Sequence, residues 1–306
     1  MTRRTFLAAS LASSAFARPP KRWILVHEHI LVDFTDAKDY QPVHYDRDDV
    51  VRAVLPKLQE IAKLGCVRLH ECTPNYLGRD PILLQRLSRE SGIDIWTNTG
   101  LYAARQQRHL PEFAFRETAQ QLANRWIAEH RDGLEGGVKP KFIKIGVDKG
   151  PLDEVSRKIV QAGVLTSKAT GLTLCSHTGD GAAALEQLDI VRNGGLDPKK
   201  FVWVHAQNEL DFDIHARMAR AGCWVEFDGI GRSTAPWHAQ CIRSLAKKGL
   251  LHRVLISQDA GWYSPGMAQG GNIRGYEYVY THFLTELKGS WGETLLWKNP
   301  RTCFHP

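Results

Sequence analysis

The chain has 306 residues, of which 43% are hydrophobic and 24% are charged, and its formal net charge is +7 at pH 7. This charge is mild, and no basic run alternates with aromatic residues, so binding to nucleic acid is not expected. The six cysteines form no C-x-x-C pair and no paired spacing, which favours buried thiols over disulfides or metal ligands.

The first 17 residues, MTRRTFLAASLASSAFA, are predicted to be an export signal and not part of the fold. An Arg-Arg pair, a short apolar stretch and an A-x-A cleavage pattern at 15–17 make the segment resemble a twin-arginine signal. An amphipathic first helix is the alternative, but the stretch has no acidic residue and is followed by Arg-Pro-Pro at 18–20. We therefore expect a periplasmic or other extracytoplasmic location. No later apolar stretch approaches about 18 residues, so no membrane segment is expected once the signal is removed.

Short β-rich runs and helical patterns alternate along the rest of the chain. The predicted strands are 23–29, 66–71, 93–99, 142–147, 172–177, 201–205, 223–228 and 253–259. The helical patterns between them include 49–65, 81–92, 112–130, 152–171 and 214–222. No solenoid-type repeat and no Pro/Ser-rich linker interrupts this order, so the sequence predicts a single α/β domain over 18–306, a (β/α)8 TIM barrel. In such a barrel the functional residues lie at the carboxyl ends of the strands.

The first strand ends in the motif WILVHEHI (23–30). Side chains alternate along a strand, so His27 and His29 are predicted to point to the same side, together with Leu25. Glu28 is expected to face the helices and is not a candidate ligand. Two imidazoles one residue apart can bind one metal ion together.

Alternation along FIKIGV (142–147) predicts that Lys144 points into the barrel. A buried lysine is rare unless it is paired. It can form an ion pair with a carboxylate such as Asp259, act as a Schiff-base amine, or be carbamylated by carbon dioxide so that its new carboxylate bridges two metal ions. Two further histidines, His177 and His205, also stand at strand ends. Beside four histidines, the bridging carbamate is the favoured interpretation.

Three further polar residues stand at strand ends: His177 ends LTLCSH, His205 ends FVWVH and Asp259 ends RVLISQD. Each strand is apolar, and an unpaired carboxylate beside such a run is costly unless a cation neutralises it. We therefore expect these three residues at the metal, with Asp259 accepting a proton from bound water. Glu71 and Asp228 are expected to orient the ligand histidines.

This ordered set resembles the phosphotriesterase family of the amidohydrolase superfamily. The resemblance extends to the segments 78–102, 142–148, 170–178 and 259–263 and to an Asn-Pro pair at 299–300. It implies two divalent metal ions, usually zinc. One ion would be held by His27, His29 and Asp259 and the other by His177 and His205, with carbamylated Lys144 and a hydroxide bridging them. The resemblance implies Asp259 and Lys144 as catalytic residues and an acid and an alcohol as products.

The sequence departs from the family pattern at two places. Members that hydrolyse phosphotriesters carry a proton relay, but Asn208 and Gly229 stand where its acidic residue and its histidine are expected. Lactonase-type members often have an arginine at the place of Gly229, and it is also missing. Tyr102 in TGLY matches the tyrosine that lines the pocket of those members. Phosphotriesters are therefore not the expected natural substrate.

The segment 260–280 is rich in glycine and aromatic residues and is expected to lie over the mouth of the barrel. Trp262, Tyr263 and Arg274 are, with Tyr102, the predicted substrate contacts. The alternative is that the three residues of this segment only pack it against the barrel.

The sequence thus favours an exported, binuclear metal-dependent hydrolase that acts on a small ester, either a lactone or a carboxylic ester. A weak phosphotriesterase activity is compatible with this function. Two alternatives are a metal-containing binding protein for a hydrophobic ligand and a mononuclear deaminase of the same superfamily, which would not need Lys144. The expected partner is a small-molecule ester substrate, and a homodimer is compatible with the sequence.

Overall fold

The computed structural model of the protein describes residues 22–287 and 290–304. The predicted signal at 1–17 therefore lies outside the described residues. Within the two described ranges, no helix is both long and apolar enough to cross a membrane.

The strands of these ranges are short, and most of the helices are two to five turns long. The strands are β1 (Trp23–Leu31), β2 (Cys66–Glu71), β3 (Asp94–Trp96), β4 (Asn98–Thr99), β5 (Phe142–Val147), β6 (Leu174–Thr178), β7 (Phe201–Val204), β8 (Trp224–Phe227), β9 (Val254–Ile256) and β10 (Gly261–Tyr263). The helices are α1 (Arg47–Lys63), α2 (Pro81–Ser91), α3 (Glu112–Arg116), α4 (Ala119–Asp132), α5 (Glu154–Thr170), α6 (Gly181–Asn193), α7 (Phe212–Arg220), α8 (Ala235–Lys247), α9 (Leu284–Glu286) and α10 (Asn299–Phe304).

All strand pairs are parallel, in the orders β10-β1-β2-β3 and β4-β5-β6-β7-β8-β9. β3 and β4 are two parts of one barrel strand, because β3 pairs with β2 and β4 with β5. β9 and β10 are likewise two parts of the last strand, of which the first pairs with β8 and the second with β1. The eight strands counted in this way close into a ring, and the predicted (β/α)8 barrel is confirmed.

Capping residues fix where the helices begin and end. The side chain of Asp80 accepts a hydrogen bond from Leu83 N at the start of α2, and Gly92 ends that helix in the left-handed region with φ 75°. The helix predicted over 112–130 is two helices, α3 and α4. The break occurs because Thr118 is extended and forms a capping box with Gln121, which starts α4 anew.

The inner face of β1 differs from strict alternation. Leu25 packs in the helix layer against α1, so its expected place on the face of His27 and His29 is wrong. Ile24 and Val26 fill the barrel interior instead. The cause is a β-bulge, since the register of β1 against β2 shifts between Leu25 and the following pair. A bulge inserts one extra residue and so re-aims the side chains after it, which turns the two histidines inward.

Candidate metal centre

Six polar side chains converge on one cavity of about 50 Å³ at the carboxyl mouth of the barrel. They are the predicted metal ligands: His27, His29, Lys144, His177, His205 and Asp259. They belong to β1, β5 and β6, to the residue after β7, and to the connection between β9 and β10. Residues far apart in the sequence thus meet because parallel strands end at the same rim.

His27, His29 and Asp259 form the first group of possible ligands. Asp259 Oδ1 lies 3.1 Å from His29 Nε2 and 3.8 Å from His27 Nε2. His27 Nε2 and Asp259 Oδ1 are buried, and neither has a hydrogen-bond partner among the described residues. A buried polar atom without a partner is costly, and imidazole nitrogen and carboxylate oxygen are both common zinc ligands. The three residues therefore fit a divalent cation.

A buried carboxylate at the end of β8 orients two of the histidines. Asp228 accepts hydrogen bonds from His27 Nδ1 at 3.1 Å and from His205 Nδ1 at 2.6 Å. It also accepts hydrogen bonds from His205 N and from Gln207 Nε2. These contacts place the ring protons on Nδ1 and leave the Nε2 lone pairs for a metal, an arrangement that metal-binding histidines commonly have.

Glu226 is a second carboxyl group on the same face of β8, and the sequence analysis missed it. Its Oε1 lies 2.9 Å from His27 Nδ1, and the side chain is buried. Burial and then the neighbouring charge of Asp228 raise the pKa of Glu226 well above its ordinary value. The signal that could have found it is the spacing, since Glu226 and Asp228 are two residues apart on one strand.

His29 has a different support. Its Nδ1 lies 2.8 Å from the hydroxyl of Thr73, which donates a hydrogen bond to the buried Glu71. The Glu71 carboxyl group also accepts hydrogen bonds from the backbone N–H groups of Thr73 and Ile30. Glu71 thus supports His29 through Thr73.

His177 and His205 form the second group. Their rings are in edge contact, with centroids 4.4 Å apart, and the ring of His205 lies 5.0 Å from that of His27. The Tyr102 hydroxyl lies 3.2 Å from His177 Nε2. Tyr102 therefore lines the cavity directly beside a candidate ligand.

Lys144 lines the same cavity as both groups and is only 2% exposed. Asp259, the ion-pair partner considered from the sequence, contacts His29 and His27 instead, and Lys144 forms no ion pair with any described carboxylate. A buried ammonium group without an ion-pair partner in direct contact is unfavourable. A carbamate formed on this amine and neutralised by cations would remove that difficulty.

Burial lowers the pKa of three of the cavity histidines. It lowers the pKa of His27 to about 3, and it also lowers the pKa of His29 and of His177. His205 differs: burial opposes its charged form, but the carboxylate of Asp228 raises its pKa above the ordinary value. Neutral imidazole is the form that binds metal, so His27, His29 and His177 are ready ligands at neutral pH.

The backbone at the rim is strained at two residues, and a buried carboxyl group holds one of them in place. His205 and Asp259 adopt left-handed conformations with φ of 63° and 50°. Glu28 is buried behind the rim, where its carboxyl group accepts hydrogen bonds from Ser257 Oγ and from the backbone N–H groups of Gln258 and Ala260. Such strained conformations persist where the surroundings fix them. Glu28 thus holds the turn that carries Asp259.

Aromatic side chains form the outer walls of the cavity. Trp262 and Phe34 both line it, with ring centroids 5.6 Å apart, and the Trp262 ring lies 5.4 Å from that of His29. Trp262, a predicted substrate contact, therefore lines this cavity, and Phe34 is a further wall residue that the sequence analysis missed.

The other two predicted substrate contacts lie elsewhere. Tyr263 does not line this cavity; it is buried and packs toward α1, on the opposite side of β10 from Trp262. Arg274 is exposed, and its backbone N–H donates a hydrogen bond to the Gly261 carbonyl. Tyr263 points away from the cavity because consecutive side chains along β10 lie on opposite faces, and Trp262 takes the face toward the cavity.

Two known proteins are similar to this chain over most of its length. The aryldialkylphosphatase of Saccharolobus solfataricus is 23% identical over 240 residues, covering 77% of this chain and 76% of the relative. The phosphotriesterase homology protein of Escherichia coli is 28% identical over 276 residues, covering 89% of this chain and 92% of the relative.

Solved structures share the fold. A crystal structure of the Escherichia coli phosphotriesterase homology protein, complexed with phosphate in its active site, superposes with a TM-score of 0.81 at 24% identity, covering 94% of this chain and 99% of that one. A lactonase from Listeria monocytogenes superposes with a TM-score of 0.79 at 22% identity, covering 92% and 94%. The model of the phosphotriesterase family matches residues 21–304. With nearly the whole barrel matched, the chain belongs to the phosphotriesterase family.

Proposed function

We propose that the chain is a binuclear metal-dependent hydrolase that cleaves a small ester, either a lactone or another carboxylic ester. The observation that supports this most is the convergence of four histidines, a lysine and a carboxylate on one cavity. Within the described chain, two of the donor atoms, His27 Nε2 and Asp259 Oδ1, have no hydrogen-bond partner. Relatives named an aryldialkylphosphatase and a lactonase support a hydrolytic reaction.

The residues divide between two ion positions. His27, His29 and Asp259 would hold one ion, His177 and His205 the other, and carbamylated Lys144 would be shared between them. Two divalent cations bound there, zinc in our proposal, would lower the pKa of a bound water and would polarise the carbonyl oxygen of the substrate.

The side chains of the cavity would carry out the remaining tasks. Asp259 is the carboxylate among the described lining residues, so it is the group placed to accept the proton of the attacking water. Tyr102, Trp262 and Phe34 enclose the site and limit the access of bulk water. The cavity measures only about 50 Å³, which favours a small substrate.

The same geometry weighs against phosphotriesters. Gly229 cannot relay a proton, and a Cβ at this position would lie 3.0 Å from Gln207 Nε2 and 3.3 Å from His238 Nε2. A histidine or arginine there would need these neighbours to move. Gln207 is not free to move, because its amide is hydrogen-bonded to Asp228 on both sides. Packing around Gly229 therefore leaves no room for the side chain of a proton relay.

The proposal is tested by loading the purified chain with zinc and assaying a panel of lactones, aryl carboxylic esters and organophosphate triesters. We expect hydrolysis of a lactone or carboxylic ester, lost on chelation and restored by zinc, with at most slow triester turnover. A zinc-loaded chain that hydrolyses triesters faster than every carboxylic ester contradicts the substrate class. One that binds two ions and hydrolyses nothing supports a binding protein instead.

We also propose that residues 1–17 direct export through the twin-arginine route. The test is a fusion of residues 1–20 to a reporter that is active only after folded export, followed by cell fractionation. We expect reporter activity in the periplasm and its loss on substitution of Arg3 and Arg4 by lysine. A reporter that stays in the cytoplasm with the native arginines overturns the location.

A further inference from the structure

The guanidinium group of Arg105 lies at the rim of the cavity and stacks on the ring of Phe34, which is one of the cavity walls. Arg105 Cζ lies 4.1 Å from the ring centroid of Phe34, and the Arg105 side chain is exposed. The Phe34 ring belongs to the cavity lining, and its centroid lies 5.6 Å from that of Trp262. The cation is thus next to the cavity and open to solvent.

The backbone that carries this group is unusual and firmly held. Arg105, Gln106 and Gln107 are consecutive residues in the left-handed region, with φ of 60°, 58° and 62°. The two oxygens of the Asp148 carboxylate each accept one hydrogen bond, from Arg105 N and from Gln106 N, both at 2.8 Å. Left-handed backbone in ordinary residues is strained, and such strain gathers at functional sites. Asp148 therefore fixes the backbone position from which the Arg105 side chain extends.

The charge of this arginine has no partner within the described protein. No described carboxylate lies within 4.0 Å of the Arg105 guanidinium, and Asp148 uses its oxygens on the backbone. The charge nevertheless acts on the cavity. Burial raises the pKa of Tyr102, and Arg105 is the strongest influence that opposes this rise. A stacked guanidinium with its hydrogen-bond donors unused is suited to bind a planar carboxylate.

We propose that Arg105 binds an anionic group of the substrate, so that the enzyme prefers small esters or lactones that carry a carboxylate beside the reacting bond. A carboxylate suits this group because its two oxygens match the planar guanidinium in a two-bond contact. This inference rests on the proposed ester hydrolysis for its substrate class. The anion contact itself does not depend on turnover.

The test compares two substrates that differ only in charge, using the zinc-loaded full chain. One is a γ-lactone with a carboxylate on the ring carbon next to the ring oxygen, and the other is the corresponding carboxamide. We expect kcat/KM to favour the carboxylate, and Arg105→Met to reduce this preference about 10- to 100-fold, mainly through KM. Arg108→Met is the matched control, an exposed arginine in the same loop, and should keep the preference.

Two results separate the failure of this inference from failure of the proposed function. If both lactones are hydrolysed equally, or if Arg108→Met removes the preference as strongly as Arg105→Met, the Arg105 contact is wrong while the hydrolase proposal stands. If neither lactone is hydrolysed, calorimetry of the two ring-opened products decides. Tighter binding of the dicarboxylate than of its monoamide, lost in Arg105→Met, supports the contact, and equal binding overturns it.

Discussion

Replacement of Asp228 by asparagine should damage metal binding far more than the matched change at Glu226. Asp228 accepts hydrogen bonds from four donors, two on each oxygen: His205 Nδ1 and Gln207 Nε2 on Oδ1, and His27 Nδ1 and His205 N on Oδ2. An asparagine amide has only one acceptor oxygen, so in either orientation its NH2 group would face two donors.

The size of the effect follows from these contacts. Each hydrogen bond to a charged group contributes about 1.5–3 kcal/mol, so two lost bonds correspond to about 3–6 kcal/mol before relaxation. Removing a group that orients a metal-binding histidine typically costs 10- to 100-fold in metal affinity. Because Asp228 orients one histidine of each ion position, we expect Asp228→Asn to weaken zinc binding roughly 100-fold or more. Glu226→Gln should change it less than about threefold, because Oε1 keeps its contact with His27 and Oε2 has no partner among the described residues.

The assay is competition for zinc between the chain and a fluorescent chelator. Circular dichroism and thermal unfolding of the metal-free variants serve as the control for folding. Zinc binding by a folded Asp228→Asn variant within threefold of the parent chain would show that Asp228 does not orient the metal-binding histidines. An equally large loss in Glu226→Gln would also contradict this role of Asp228, because this variant leaves both acceptor oxygens of Asp228 in place.

Three further substitutions test other parts of the site. Lys144→Ala should lose metal and hydrolysis together, as measured by metal analysis and ester turnover; retention of both would contradict the bridging role. Trp262→Ala removes a ring 5.4 Å from that of His29 and should raise kcat/KM for bulky aryl esters relative to small lactones roughly tenfold, and an unchanged ratio would argue against a wall role. Gly261→Ala places a Cβ against the His29 carbonyl at φ 90° and should lower the free energy of unfolding by about 3 kcal/mol in thermal or denaturant unfolding. Gly249→Ala, at φ 74° with no atom within 4 Å, should cost only about 1 kcal/mol, and equal costs would show that the contact with the rim is unimportant.

The barrel could be predicted from the sequence because its strands are short apolar runs separated by amphipathic helices. Lys144 illustrates how far local pattern extends to the site. Phe142 lies in the barrel interior, and Ile143 and Ile145 lie in the helix layer, as alternation requires. The alternation within the six residues 142–147 was therefore enough to predict that Lys144 faces the cavity.

Alternation alone fails at other strand ends. Val202 and Val204 are interior residues, so a continued strand would turn His205 away from the cavity. The left-handed conformation of His205 turns it back, and the bulge in β1 does the same for His27. Neither feature has a local sequence signal: the His205 backbone N–H donates a hydrogen bond to the distant Asp228, and the bulge is set by the pairing of β1 with β2.

The surroundings of the candidate ligands were less predictable than the candidate ligands themselves. Glu226 was visible from its spacing, but Thr73 lies beyond a strand end and contacts His29 only through the fold. Phe34 likewise lies near the cavity only because the chain after β1 folds back toward Trp262. Contacts between loops depend on tertiary packing, which local patterns do not specify.

We propose above all that this cavity holds two metal ions. The test is elemental analysis of the purified, zinc-supplemented chain against its protein concentration. We expect two zinc ions per chain, both removed by a strong chelator. One ion per chain, or none, would contradict this proposal.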